Sequence, residues 1–359
     1  MSFFGKYLQV SIFGASHEKY IGITLNNYPS GIKISLDRIN KKLLLRRGLN
    51  HLTSKRLEND NFEIISGYFN GFTTGAPLTI LIHNNDVRSG DYERIKDIPR
   101  PSHADYTYYN KYAGFNDYRG GGVSSGRLTV ALVVIGALCE EILESKGIII
   151  ASRVKQIKDI VDKTSITSID DLIKLKEEAF PVLDLTVKEE MFDLISETRE
   201  SKDSLGAIIE TSIINHPIGL GEPFWDSFES VLSHLIFSIP GIKGIEFGAG
   251  FEFGKMYGSE ANDQIRIKDG KVNFLSNNNG GINGGITNGE QVVFRTVFKP
   301  TPSIGKTQKT IDIKNNENID LDIEGRHDTI IAIKGLHVVN ALTYYAVLEL
   351  LLGMNLWKI

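Results

Sequence analysis

Residues 100–127 read RPSHADYTYYNKYAGFNDYRGGGVSSGR. Arg100, Arg119 and Arg127 share this stretch with His103, Lys111 and six aromatic side chains, and Gly120, Gly121 and Gly122 lead on to Ser124 and Ser125. It runs into residues 128–145, strongly apolar with Glu140, Glu141 and Glu144 near the end, which read as a mostly buried helix. Glycines followed by hydroxyls at a helix start offer backbone N–H groups at the positive end of the helix dipole, an arrangement suited to an anion. A tyrosine-rich turn packed on the core, with glycines for close approach, accounts for the composition equally well. The stretch lacks the Gly-Lys-Ser/Thr ending of a P-loop and the spacing of a dinucleotide fingerprint.

Outward from this block, strands and helices alternate irregularly. Residues 7–13 read as a strand ending at Gly14, and Ser35 caps a helix through Leu43, Leu44 and Leu45 that stops at Gly48. Residues 62–66, 78–83, 147–151 and 207–214 read as strands, and 291–297 as a last strand followed by a loop. Residues 168–178 and 186–199 read as amphipathic helices, with Thr186 and Glu189 at capping-box spacing. Helices are also predicted over 226–237, ended by Pro240, and over 336–352. No linker divides the chain, so one α/β or α+β domain over 1–359 is expected, and the element order argues against a doubly wound nucleotide fold.

With 359 residues, 41% of them apolar and 23% charged, the chain has the composition of a globular protein. A net charge of -4 gives no basic field for nucleic acid or an acidic membrane surface. Cys139, the single cysteine, excludes an intrachain disulfide and a thiolate metal cluster, and its apolar surroundings read as core. The opening MSFFGKYLQV lacks a basic region before an apolar segment, and no apolar run approaches the roughly 20 residues of a membrane span. The expectation is a cytoplasmic protein.

Three further segments carry groups that a packed core would not select. Gly14-Ala15-Ser16-His17-Glu18 places a hydroxyl and an imidazole at a strand end. Residues 277–303 hold Gly280, Gly281, Gly284, Gly285 and Gly289 and then Lys299-Pro300-Thr301-Pro302-Ser303, glycines that admit a flat ligand or a phosphate close to backbone. Gly325-Arg326-His327-Asp328 joins a cation, an imidazole and a carboxylate. The eight histidines are scattered without a ligand pattern, so no metal is expected. A Ser16, His103, Asp328 hydrolase lacks a nucleophile elbow and leaves the phosphate-friendly segments unexplained.

In order along the chain, these blocks resemble the chorismate synthase family. RPSHADYTYYNKY…DYRGGGVSSGR, GGINGGITNG, FKPTPSI and GRHD match its motifs, as do residues 85–92 and GLGEPFWD…SIPGIKGIEFGAGF. The resemblance implies an α+β fold, a β-α-α-β sandwich, a homotetramer, and a lyase that removes phosphate from 5-enolpyruvylshikimate 3-phosphate by anti 1,4-elimination. It implies reduced FMN as cofactor; with no reductase domain evident, an external source of reduced flavin is expected.

Residue by residue, His17 resembles the histidine beside the leaving phosphate and His103 the one beside the flavin. Asp328 resembles the carboxylate on the path that removes the C6 proton, with Ser16 and Ser125 as hydroxyls of the relay. Flavin contacts are expected from Ser124, Ser125, Pro240, Gly241, Gly284, Lys299, Pro300, Thr301, Pro302, Ser303 and Arg326, and substrate contacts from Arg46, Arg47, Arg100, Arg119 and Arg127. The chain departs from the family at Ala15, Glu18, His51, Val123 and Lys334. Those at Ala15, Glu18, His51 and Val123 motivate a second reading, a non-catalytic relative that binds flavin or substrate. An NADPH-oxidising flavin reductase is a third.

Overall fold

A computed structural model describes residues 3–48, 60–84, 93, 96–166, 168–323 and 328–354. Two antiparallel five-stranded sheets enclose a helical layer. In the first sheet β1 (Phe3–Phe4), β2 (Gln9–Gly14), β3 (Tyr20–Asn26), β4 (Phe62–Ser66) and β5 (Leu78–His83) lie in the order β1-β2-β3-β5-β4. In the second, β6 (Ile149–Ile157), β7 (Ile160–Val161), β8 (Ala207–Ile214), β9 (Ile242–Phe247) and β10 (Val292–Phe298) lie in the order β9-β10-β8-β6-β7. Among the described residues the main helices are α1 (Leu36–Arg47), α2 (Asp105–Lys111), α3 (Thr129–Ser145), α4 (Ile169–Glu177), α5 (Leu185–Glu200), α6 (Phe228–Ile236) and α7 (Ala332–Met354). This is the β-α-α-β sandwich that the resemblance implied.

The interior follows from composition. α3 and α7 are apolar nearly all round, so each must be covered on every side. They pack on one another, α3 also touching β3 while α7 lies on β6 and β8. Their crossing is close because Gly136 has no side chain: a Cβ there would stand 2.3 Å from Ala341 Cα. Consecutive tyrosines of α7 reach opposite sheets, Tyr344 donating to Ile150 O at 3.1 Å and Tyr345 to Leu8 O at 2.6 Å. Near the far end of α7 the buried Glu349 accepts the backbone N–H groups of Lys6, Tyr7 and Leu8.

One expectation fails here. α7 spans 23 residues, and its most apolar window, of mean hydropathy 1.4, makes it long and apolar enough to cross a membrane by length and composition. The sequence reading missed this because His337 and Asn340 interrupt the apolar run. The helix is instead a core element, 83% of its most apolar window being buried. Cys139 is fully buried as expected, and burial pushes its thiol far above the ordinary range.

Local signals held in several places. Ser35 Oγ accepts from Arg38 N at the start of α1, and Gly48 follows its end. α5, however, is capped by Asp184, whose carboxylate accepts from Thr186 N and Val187 N, and not by Thr186. The strand expected over 147–151 runs on to Ile157, and the loop expected after β10 contains a ribbon, Gln308–Asp312 paired with Glu317–Leu321.

Candidate active site

β2 ends at Gly14 and releases the turn that carries Ser16 and His17. Ser16 N donates to Gly122 O (3.3 Å) and Ser16 Oγ donates to Arg119 O (3.3 Å), which seats this turn on the glycine block. With its hydrogen directed there, Ser16 Oγ accepts from His17 Nδ1 at 3.0 Å. Gly120 lies against the imidazole. Its φ of 66° favours glycine, and a Cβ would stand 2.6 Å from His17 Cε1.

The same glycine anchors the second histidine. Arg100 Nη2 donates to Gly120 O at 2.7 Å and lies 3.1 Å from His103 Nδ1. Arg100 also grips Asp105 with Nε and Nη2, both at 2.8 Å, and Asp105 Oδ1 is 3.0 Å from His103 Nδ1. Burial works against the Asp105 carboxylate, yet hydrogen bonds from Arg100 and His103 hold it well below the usual range. A carboxylate accepts and cannot donate, so the proton sits on Nδ1 and Nε2 is the ring atom left to act.

A third segment closes on this pair. Lys299 Nζ donates to Ser102 O at 2.7 Å, beside His103, while Lys299 N donates to Gly241 O at 2.9 Å, next to Pro240. Burial and then the charge of Lys243 hold the Lys299 ammonium below its ordinary value. Pro300, Thr301, Pro302 and Ser303 continue the same loop, and Thr301 O accepts from Ser204 Oγ at 2.7 Å. Thr301 Oγ1 is buried and has no hydrogen-bond partner among the described residues, which marks a polar position open to one. Leu205 N donates to Thr329 O, so Asp328 follows alongside, with its carboxylate 3.0 and 3.2 Å from Lys334 Nζ.

The remaining arginines have other duties in the fold. Arg46, Arg47 and Arg127 converge on Asp60, a buried carboxylate that is 3% exposed. Arg119 pairs with Asp117 at 2.8 Å, which lowers the Asp117 carboxyl and raises the guanidinium. Ser124 Oγ donates to Gly121 O, and Ser125 Oγ accepts from Arg127 N.

Of the two readings of residues 100–127, the packed tyrosine turn fails. α2, which the sequence reading did not anticipate, buries none of its residues, and Phe115 is 93% exposed. The anion reading needs adjustment too. The amides of Gly122, Ser124, Ser125 and Leu128 donate to carbonyls three residues back in two short turns, Gly122–Ser124 and Gly126–Leu128, rather than pointing outward.

The family model for chorismate synthase matches residues 8–352. The chain belongs to the chorismate synthase family. It is 40% identical over 358 residues to the chorismate synthase of Thermococcus gammatolerans, covering 99% of this chain and 98% of that one. It is 41% identical to that of Pyrococcus abyssi, with 99% of each chain covered, and 43% identical to that of Methanosarcina barkeri, with 94% and 93% covered. A crystal structure of chorismate synthase superposes with a TM-score of 0.76 at 27% identity, over 98% of this chain and 93% of that one.

Two expected flavin contacts of this chorismate synthase family member are not brought to Lys299 by the described residues. Arg326 lies outside the described residues. Gly284 lies beside Gly285, whose carbonyl accepts from Phe228 N, at the other end of β10 from Lys299. A seven-residue strand at ~3.3 Å per residue separates those ends by about 20 Å. Asp60, Asn84, Asp105 and Asp117 were missed by the sequence reading. Asp105 carries a local signal, two positions after His103; Asp60 and Asn84 carry none.

Proposed function

We infer that the chain is an active lyase that converts 5-enolpyruvylshikimate 3-phosphate to chorismate and phosphate, with reduced FMN bound, as one domain over residues 1–359. The observation that carries the reading is the convergence on Gly120: His17 rests against it, and Arg100 links its carbonyl to His103. The cofactor fits the residues present. Lys299 offers a cation, Gly241 a backbone edge, and Thr301 Oγ1 an unpaired buried hydroxyl.

His17, charged, gives a proton to the departing phosphate oxygen as the C3–O bond breaks. Arg46, Arg47, Arg100, Arg119 and Arg127 supply positive charge for the phosphate and carboxylates of the substrate. Asp328 accepts the proton lost from C6, with the hydroxyls of Ser16 and Ser125 as relay positions. His103, oriented by Asp105, would face the flavin with Nε2, and Ser124, Ser125, Pro240, Gly241, Gly284, Lys299, Pro300, Thr301, Pro302, Ser303 and Arg326 would hold the cofactor. Bound there, reduced FMN would supply electron density for C–O cleavage in a reaction that is redox-neutral overall.

The position of Gly284, at the far end of β10 from Lys299, supports a homotetramer, in which a second copy would bring that loop to the site. Reduced flavin comes from outside the chain, with NADPH as the ultimate donor, in a cytoplasmic setting. An anaerobic assay with photoreduced FMN tests the reading: phosphate is released with reduced flavin only. Equal release with oxidised flavin in air, or none despite tight FMN binding, overturns it.

A further inference from the structure

Asp60 is buried directly before β4, and three cations meet it. Arg127 Nη1 bonds Asp60 Oδ1, Arg46 Nη1 lies 3.7 Å and Arg47 Nε 3.5 Å from Oδ2, and the Asp60 side chain is fully shielded from solvent. Arg127 continues the chain of contacts: Nε donates to Asn84 Oδ1 at 2.8 Å and Nη2 to His83 O at 3.0 Å. Asn84 Nδ2 then donates to Ala15 O at 3.2 Å and Glu18 O at 2.8 Å, the two carbonyls that bracket Ser16 and His17. On the other side, Arg127 N donates to Ser125 Oγ, and Arg46 donates to Gly126 O and Thr129 Oγ1.

We propose that Asp60 is a positioning residue for the elimination, setting through Arg127 and Asn84 the places of His17 and Ser125 and fixing Arg46 and Arg47 beside them. The inference rests on the function proposed above. The physical reason is coupling without slack. Guanidinium and carboxylate form strong, directional bonds, and removing one partner of a buried pair leaves the other charge uncompensated. Arg127 has Nε, Nη1 and Nη2 engaged within the fold, so it contributes charge and rigidity at the site rather than a direct grip on the substrate. The links of the hub end at Arg46, Arg47 and the turn that carries Ser16 and His17, with Ser125 the one member that also lines the cofactor, so its effect falls mainly on substrate binding.

The test compares wild type with Asp60→Asn. Affinity for 5-enolpyruvylshikimate 3-phosphate is read by calorimetry with oxidised FMN bound, where no turnover occurs, and FMN affinity is read by fluorescence. The expected result is at least a tenfold weaker substrate Kd with FMN Kd within twofold of wild type, and a tenfold or greater fall in kcat for anaerobic phosphate release. Unchanged substrate affinity and kcat overturn the proposal, and so does a parallel loss of FMN affinity, which signals general damage. A wild type that binds substrate without turning it over overturns the proposed function and leaves the affinity comparison intact; one that binds no substrate overturns both. If Asp60→Asn does not fold, Asn84→Ala breaks the same chain one link later and must weaken substrate binding with FMN binding kept; full substrate affinity there overturns the proposal.

Discussion

His103 Nδ1 and Asp105 Oδ1 lie 3.0 Å apart, with the Arg100 guanidinium against both. The carboxylate fixes the tautomer and the ring plane of His103. In Asp105→Asn the amide can turn its NH2 toward Nδ1 and reverse the tautomer. By analogy with other partners that orient a functional histidine, kcat for anaerobic phosphate release should fall on the order of tenfold to hundredfold. A kcat within twofold of wild type would show that His103 needs no such orientation.

Gly120→Ala joins two faults, a side chain at φ 66° and a Cβ 2.6 Å from the His17 ring. The backbone conformation alone costs roughly 1–3 kcal/mol for a non-glycine residue. The expected outcome is a lowered Tm together with a fall in kcat, because the imidazole must move. Full activity in a destabilised protein would separate His17 from the reaction.

The Lys334 ammonium meets both oxygens of Asp328, at 3.0 and 3.2 Å. Lys334→Met should lower kcat with FMN affinity retained, and Lys334→Arg should restore it, since the pairing needs a cation rather than lysine itself. Failure of arginine to rescue would show that the site needs the ammonium group itself.

His337 supplies a pH signature of stability. Burial lowers its folded pKa from 6.5 to about 4, so between these values the unfolded chain binds the proton and the folded chain does not. Stability is therefore fully present above pH 6.5 and falls as the pH drops toward 4. From pH 7.5 to 5.0 the loss from this group is about 2 kcal/mol. Denaturant unfolding of His337→Gln, which does not titrate, should show a pH dependence smaller by that amount; equal slopes would rule out the neutral buried imidazole.

Local chemistry made much of the framework legible. β4, β5 and β8 were read at their observed bounds because each is a run of β-branched and apolar residues closed by turn residues. β3 was missed, its run broken by Gly22, and the Gln308–Asp312 ribbon was hidden by polar residues on both faces. The cap of α5 moved to Asp184 because its carboxylate accepts two amides at once. His17, His103 and Lys299 were legible through motif, whereas the Asp60–Arg127–Asn84 chain joins residues 24 to 67 positions apart, a distance no local pattern spans.

Tyr344 and Tyr345 bind the second and the first sheet respectively. His17 leaves the first sheet at the end of β2, and Lys299 leaves the second at the end of β10. The separation of these two strand ends is thus gauged by the thickness of the packed interior through which α7 is pinned on both sides. Loops at the rim can vary in sequence without altering that span, whereas one added methylene at the Gly136–Ala341 crossing would act as a shim, prying histidine and lysine apart from deep within the molecule.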